Sequence, residues 1–163
     1  MTYRVCFVCT GNICRSPMAE SVFRARIAEA GLDGLVEVDS AGTGGWHEGD
    51  GADPRTVSVL EESGYDSGHR ARQFQASWFA RLDLVIALDS GHLKALRRLA
   101  PTPEDAAKVR LLRSYDPAAG DDLDVPDPYY GGRDGFEECL EMVEAASEGL
   151  LAAVREQVEG RAA

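Results

Sequence analysis

Apolar residues fall in two rhythms along this chain. Strand-like runs at 3–8, 35–41, 82–88 and 109–112 predict four short strands, the first and third apolar nearly throughout. Between them the spacing is helical. Met18, Val22, Phe23 and Ile27 predict a first helix, with Ser16 as its cap, Pro17 at its first position and Gly31 ending it. Asp53-Pro54 opens a second helix that Gly64 stops, and Ser90 caps a third reaching about residue 100. A loop rich in Gly, Asp and Pro at 114–134 precedes a last helix from Phe136 to about Val158. No repeat, low-complexity tract or linker divides the 163 residues, so one domain over 1–163 is expected.

Strands alternating with helices predict an α/β fold: three layers, with a four-stranded parallel sheet and helices on both faces. Ligands of such sheets bind beyond the carboxyl ends of the strands. The stretch joining the first strand to the first helix, VCTGNICRSP, lies at that edge.

Composition narrows the chemistry. A formal charge of −11, from 17 basic and 28 acidic residues, repels polyanions, which argues against nucleic acid or an anionic membrane as partner. The longest run without a charged residue is 5–14, far short of a membrane span, and no signal peptide is evident, so cytoplasmic residence is the default. In a reducing compartment Cys6, Cys9, Cys14 and Cys139 are not a disulfide framework. His47, His69 and His92 are scattered rather than set at metal-ligand spacing, so no metal is expected. Cys6 and Cys139 read as small core residues.

C-x5-R by itself is a weak signal. Followed by Ser, preceded by a strand and leading into a helix, it becomes specific. Such a loop, residues 10–16, can wrap its N–H groups around a tetrahedral dianion at a helix N-terminus. Gly11 permits close approach, and Asn12 tolerates the left-handed region. Arg15 supplies a planar fork for two phosphate oxygens. The same field favours the charged form of the Cys9 thiol, which makes Cys9 a nucleophile toward phosphorus. Ser16 can hydrogen-bond the sulfur and ease its departure. No lysine follows the glycine, so this is not the nucleotide-binding loop.

VCTGNICRSPMAE, together with DSAGT, GHRAR and DPYYGG at matching places, resembles the low-molecular-weight protein tyrosine phosphatases over almost the whole chain. The resemblance implies hydrolysis of phosphotyrosine through a phosphocysteine. Residues 10–16 (Thr10, Gly11, Asn12, Ile13, Cys14, Arg15 and Ser16) would bind the phosphate. Asp127, stiffened by Pro128, would protonate the leaving group and then activate water. Tyr129, Tyr130, Trp46 and Ile13 would line a deep slot that phosphoserine cannot fill. Ser40 and His69 would hydrogen-bond Asn12 and hold the loop, whereas Arg70 and Arg72 read as solvated charges. Cys14, five positions from Cys9, could trap an oxidised Cys9 as a reversible disulfide.

Two rivals share the scaffold. Arsenate reductase needs two further mid-chain cysteines, and none lies between Cys14 and Cys139. A protein-arginine phosphatase would carry a small polar residue at Ile13. A non-catalytic phosphopeptide binder is the third alternative, and it has no use for a nucleophile. Expected partners are tyrosine-phosphorylated proteins and a tyrosine kinase acting on Tyr129 or Tyr130, which could also serve weak self-association of a monomer. No organic cofactor is implied.

Overall fold

The computed structural model describes residues 2–162. Four parallel strands, β1 (Tyr3–Cys9), β2 (Val36–Gly42), β3 (Leu84–Ala87) and β4 (Val109–Leu111), form one sheet in the order β2-β1-β3-β4. β1 is central and almost wholly buried, as a strand covered on both faces must be. Its period of two sends Phe7 and Cys9 into one core and Cys6 and Val8 into the other.

Five helices cover the sheet: α1 (Arg15–Glu29), α2 (Pro54–Glu62), α3 (Ser90–Leu99), α4 (Pro103–Ala107) and α5 (Arg133–Ala162). Residues of α1, α2 and α5 fill the larger core, where Phe7 and Phe23 meet edge to face at 5.6 Å. α3 and a 3-10 turn at Ala76–Ala80 close the other side through Leu96 and Phe79. Gly31 and Gly64 follow α1 and α2 with φ of 74° and 83°, the left-handed turn that ends a helix without a Cβ penalty. Among the described residues no helix is long and apolar enough to cross a membrane.

Several boundaries differ from expectation, each for a local reason. α1 begins at Arg15 with Cys14 at its cap, so Pro17 is the third helical residue; its missing N–H still falls in the first turn, where no intrahelical acceptor exists. Ser16 lies inside the helix and caps nothing. Asp89, not Ser90, caps α3, accepting from the His92 N–H at 2.9 Å. The Thr102-Pro103 start of α4 was not anticipated, although Thr102 caps it in the usual way. β3 is shorter than its apolar run because Leu82 and Leu88 are buried outside the ladder.

From β1 the chain crosses to β2 on one side and later to β3 on the other. The gap above β1 is therefore the switch point of the sheet, where a crevice opens. The 10–16 loop occupies it. The long loop after β4 is pinned there too, by Val125 N–H donating to the Leu88 carbonyl at 2.8 Å.

Candidate active site

The loop between β1 and α1 is shaped by where its carbonyls go. Those of Cys9 and Thr10 accept from Thr43 and Gly44 N–H at 2.8 and 3.0 Å, that of Ile13 from Asp53 N–H at 2.8 Å, and that of Asn12 from His69 Nε2 at 2.6 Å. Gly42 lets this packing occur: a Cβ there would stand 2.7 Å from the Thr10 carbonyl and 3.1 Å from Asn12 N. Carbonyls are thus drawn outward. Among the described residues none accepts a hydrogen bond from the backbone N–H groups of 11–16, which remain free for an anion at the start of α1.

Asn12 bends the loop. Its φ of 58° is the one left-handed non-glycine backbone among the described residues. The side chain offsets that strain by donating from Nδ2 to Ser16 Oγ at 2.7 Å and to Ser40 Oγ at 3.0 Å, while its Oδ1 accepts from Arg72 N–H at 3.0 Å. Ser40 in turn donates to Glu20 at 2.5 Å. His69 is half-buried, and burial lowers its pKa, so it stays neutral and can donate to the Asn12 carbonyl.

Cys9 ends β1 with its Sγ 3.0 Å from Ser16 Oγ. Arg15, buried at the first position of α1, commits one end: Nη1 donates to Asp89 Oδ2 and to the Val125 carbonyl, both at 2.8 Å. Nη2 lies 3.5 Å from Thr10 Oγ1 and 3.9 Å from Asp127 Oδ2. Asp127 stands at the mouth with a side chain 42% exposed, its Oδ1 accepting from Tyr129 N–H at 3.1 Å.

These groups share one cavity of about 360 Å³, lined by Cys9, Thr10, Gly11, Ile13, Cys14, Arg15, Trp46, Asp127, Tyr129 and Tyr130, and also by His47. Asn12, Ser16, Ser40 and His69 do not line the cavity; they hydrogen-bond within and beneath the loop. Trp46 and Tyr130, 75% and 90% exposed, both line this cavity. The Trp46 indole lies on Gly44, where a Cβ would fall 1.8 Å from the ring.

Arg72 overturns its reading as a solvated charge. Its Nε donates to the Ser40 carbonyl at 3.0 Å and its Nη2 pairs with Asp39 at 2.6 Å, both away from the cavity. Arg70 is exposed beside it. Cys6 and Cys9 do stand at C-x-x-C spacing, which by sequence alone would keep a metal in play. Their alternation along β1 puts the two sulfurs in opposite cores, and among the described residues no three His, Cys, Asp or Glu side chains gather as metal ligands.

Sequence reasoning missed Arg55. It forks onto Asp53 with two bonds at 3.0 Å, donates to the carbonyls of Tyr129 and Gly131 at 3.1 and 3.0 Å, and stacks on Phe136 at 4.4 Å. Asp53 also donates its N–H to the Ile13 carbonyl, so one ion pair ties the anion loop to the Asp127 loop. Asp53-Pro54 read only as a helix start, and the arginine two places on carried no separate signal. Asp89 and His92 were likewise hidden, for their partners lie 74 or more residues away.

The cysteines differ in setting. Burial, with the nearby charges of Asp53, Cys9 and Asp127, pushes the Cys14 thiol up to about 12, and burial raises Cys139 to about 11. Both are protonated at neutral pH.

Known proteins resemble this chain along nearly its whole length. The model of the low molecular weight phosphotyrosine protein phosphatases matches residues 4–160. A low molecular weight protein-tyrosine-phosphatase of Streptomyces coelicolor is 84% identical over 164 residues, covering 100% of both chains. The crystal structure of a protein tyrosine phosphatase from Entamoeba histolytica superposes with a TM-score of 0.91 at 34% identity, covering 96% of this chain and 99% of that one. A drosophila arginine phosphatase superposes at 0.85 with 32% identity, over 92% and 96% of the two chains. With a family match along nearly its entire length, and the cysteine-arginine loop at the switch point of the sheet, this chain belongs to the low molecular weight phosphotyrosine protein phosphatase family.

Proposed function

We propose that the protein, as one domain over residues 1–163, hydrolyses phosphotyrosine in proteins by way of a phosphocysteine. The observation that carries this reading is the loop around Cys9, whose carbonyls at Cys9, Thr10, Asn12 and Ile13 are turned to neighbours while the N–H groups of 11–16 stay uncommitted. That ring of donors, with Arg15, suits a phosphoryl dianion and the trigonal bipyramid through which it passes.

Cys9 thiolate attacks phosphorus, an S–P bond forms, and the bond to the tyrosine oxygen breaks as Asp127 hands its proton to that oxygen. Asp127, now a carboxylate, takes a proton from water as the water oxygen attacks phosphorus. The S–P bond breaks, releasing inorganic phosphate, and Cys9 leaves as a thiolate that the Ser16 hydroxyl stabilises. The Arg15 edge bearing Nε and Nη2 holds two phosphate oxygens, because Nη1 is occupied by Asp89 and Val125.

Ile13 and the aromatic rims of Trp46, Tyr129 and Tyr130 fit a phenyl ring. The arginine phosphatase neighbour sustains phosphoarginine as the second substrate class, against which the apolar Ile13 stands. Peptides carrying phosphotyrosine, phosphoarginine or phosphoserine, assayed side by side, decide this. Turnover of phosphotyrosine alone is expected; preference for phosphoarginine would reverse the assignment, and no turnover would leave a binding module.

Cys14 lines the same cavity as Cys9. Peroxide oxidises the Cys9 thiolate to a sulfenic acid; Cys14 then forms an S–S bond and water departs, until a cellular thiol reduces the pair. A reducing cytoplasm is the setting that resets it. Tyr130, highly exposed, is the more accessible target for a kinase or for weak self-association.

A further inference from the structure

His92 comes from α3, is buried, and reaches the anion loop from the side opposite Asn12. Its Nε2 lies 2.8 Å from Thr10 Oγ1 and 3.5 Å from Arg15 Nη2. Its backbone N–H donates to Asp89 Oδ1, while the other oxygen of that carboxylate holds Arg15 Nη1. Two donors, the Thr10 hydroxyl and the Arg15 fork, converge on Nε2, which makes that nitrogen the acceptor and places the ring proton on Nδ1. Nδ1 then turns its N–H toward Asp89 Oδ1 at 3.2 Å, out of line for a full hydrogen bond but favourable in charge. The other tautomer would set a lone pair against the carboxylate.

We infer that His92 is a positioning residue for this phosphatase: as a neutral acceptor it holds Thr10 and Nη2 of Arg15, so that the free edge of the guanidinium faces the phosphate. The inference rests on Arg15 being the phosphate clamp. Asp89 and Val125 anchor only Nη1, and a planar fork held at one end can still swing. A second anchor at Nη2, formed by Thr10 and His92, fixes the plane before substrate arrives, which is where preorganised charge has its effect. The role requires an uncharged ring. Burial first, and the Arg15 charge second, lower the His92 pKa to about 4 against the pull of Asp89, Asp127 and Asp124. A protonated ring would lose its acceptor and repel Arg15.

The test measures phosphotyrosine-peptide hydrolysis and competitive inhibition by inorganic phosphate, whose inhibition constant does not depend on the fraction of folded enzyme. His92→Leu should lower kcat/KM and weaken phosphate inhibition, each by about 10- to 100-fold, the range expected when a charged clamp is misplaced by about 1 Å. His92→Gln, whose side-chain oxygen reaches the place of Nε2, should restore most of both. Thr10→Val should resemble His92→Leu, Thr10→Ser, which keeps the hydroxyl, should recover most of the phosphate inhibition that Val loses, and the Leu/Val double variant should be no worse than either single one. A folded His92→Leu protein with wild-type phosphate inhibition overturns the inference, as does failure of Gln to rescue. If His92→Leu does not fold, the Thr10 pair decides in the same way: equal inhibition constants for Val and Ser overturn it. Wild-type protein inert toward the peptide would sink the phosphatase reading itself, and this one with it.

Discussion

The hydroxyl of Ser16 stands 3.0 Å from the sulfur of Cys9 and receives the Asn12 amide at 2.7 Å. With one lone pair taken by Asn12, the Ser16 proton is left to point at the sulfur or at the Ala41 carbonyl, 3.3 Å away. A sulfur gaining negative charge draws that proton toward itself. On the proposed mechanism the contact strengthens when Cys9 departs from phosphorus. Ser16→Ala should lower kcat by about 10- to 100-fold, in the range for removing one donor from developing charge. The loss belongs to the second step, so rapid mixing with p-nitrophenyl phosphate should show a burst followed by a slower steady state than in wild type. A burst and a kcat both equal to those of wild type would remove Ser16 from the mechanism.

Asp127→Asn should separate substrates by their leaving groups. Phenyl phosphate, which needs a proton at its departing oxygen, should lose about 10²- to 10⁴-fold in the rate of phosphoryl transfer from the ester to the Cys9 thiol. An ester of a strongly acidic phenol should lose far less in that step. Equal losses, read from single-turnover rates, would remove the acid role.

Asn12 can be divided into backbone and side-chain contributions. Asn12→Gly accepts the left-handed φ but deletes three side-chain hydrogen bonds, whereas Asn12→Ala deletes them and keeps the strain. Each should destabilise the fold by about 2–3 kcal/mol, with Ala about 1 kcal/mol worse, measured by urea unfolding. Both should lower kcat/KM for p-nitrophenyl phosphate, because the N–H ring loses its shape. A Gly variant as active as wild type would show that backbone conformation alone suffices.

Arg55→Ala should loosen the Asp127 loop without touching Cys9. Deprived of its grip on the Tyr129 and Gly131 carbonyls, the aromatic rim should raise KM for aryl phosphates by about 3- to 10-fold, as expected for mispositioned binding groups. Inhibition by inorganic phosphate should change little, since the anion loop itself is intact. An equal loss in both would place Arg55 in the anion site.

Acid should destabilise the protein through His92. In the unfolded chain His92 takes up a proton near its ordinary 6.5, but in the fold only near 4. Between those values the unfolded state binds more protons, so stability falls as pH falls, by at most about 3 kcal/mol. Urea midpoints measured from pH 7 to pH 4 should therefore fall less steeply for His92→Gln than for wild type. Identical slopes would show that the ring is not held neutral.

Much of this is legible in the sequence. The apolar runs marked β1 and β3 most clearly, because an inner parallel strand has no solvent face to spend on polar residues, whereas edge strands β2 and β4 keep Glu37 and Arg110 exposed. Gly31 and Gly64 marked two helix ends because few other residues take a positive φ cheaply. Boundaries near the loop were misjudged for a physical reason. Ser16 had the identity of a cap, but the Cys9 sulfur and the Asn12 amide compete for its hydroxyl, and only the fold brings them within reach.

The division follows the range of the interactions. Cys9, Arg15 and Ser16 lie within one short loop, so local spacing alone determined that they could surround an anion between a strand and a helix. Sequence also determined the parallel sheet, through patterns whose period is two to four residues. Tertiary structure decided which groups hold that loop in place. Asp89 and His92 on α3, Val125 in the long loop, Arg55 on α2 and Arg72 after His69 reach it through hydrogen bonds spanning 60 to 110 residues of chain, directly or through the aromatic loop. A polar side chain chooses among many nearby partners once the backbone is packed, and no periodicity along the chain records that choice.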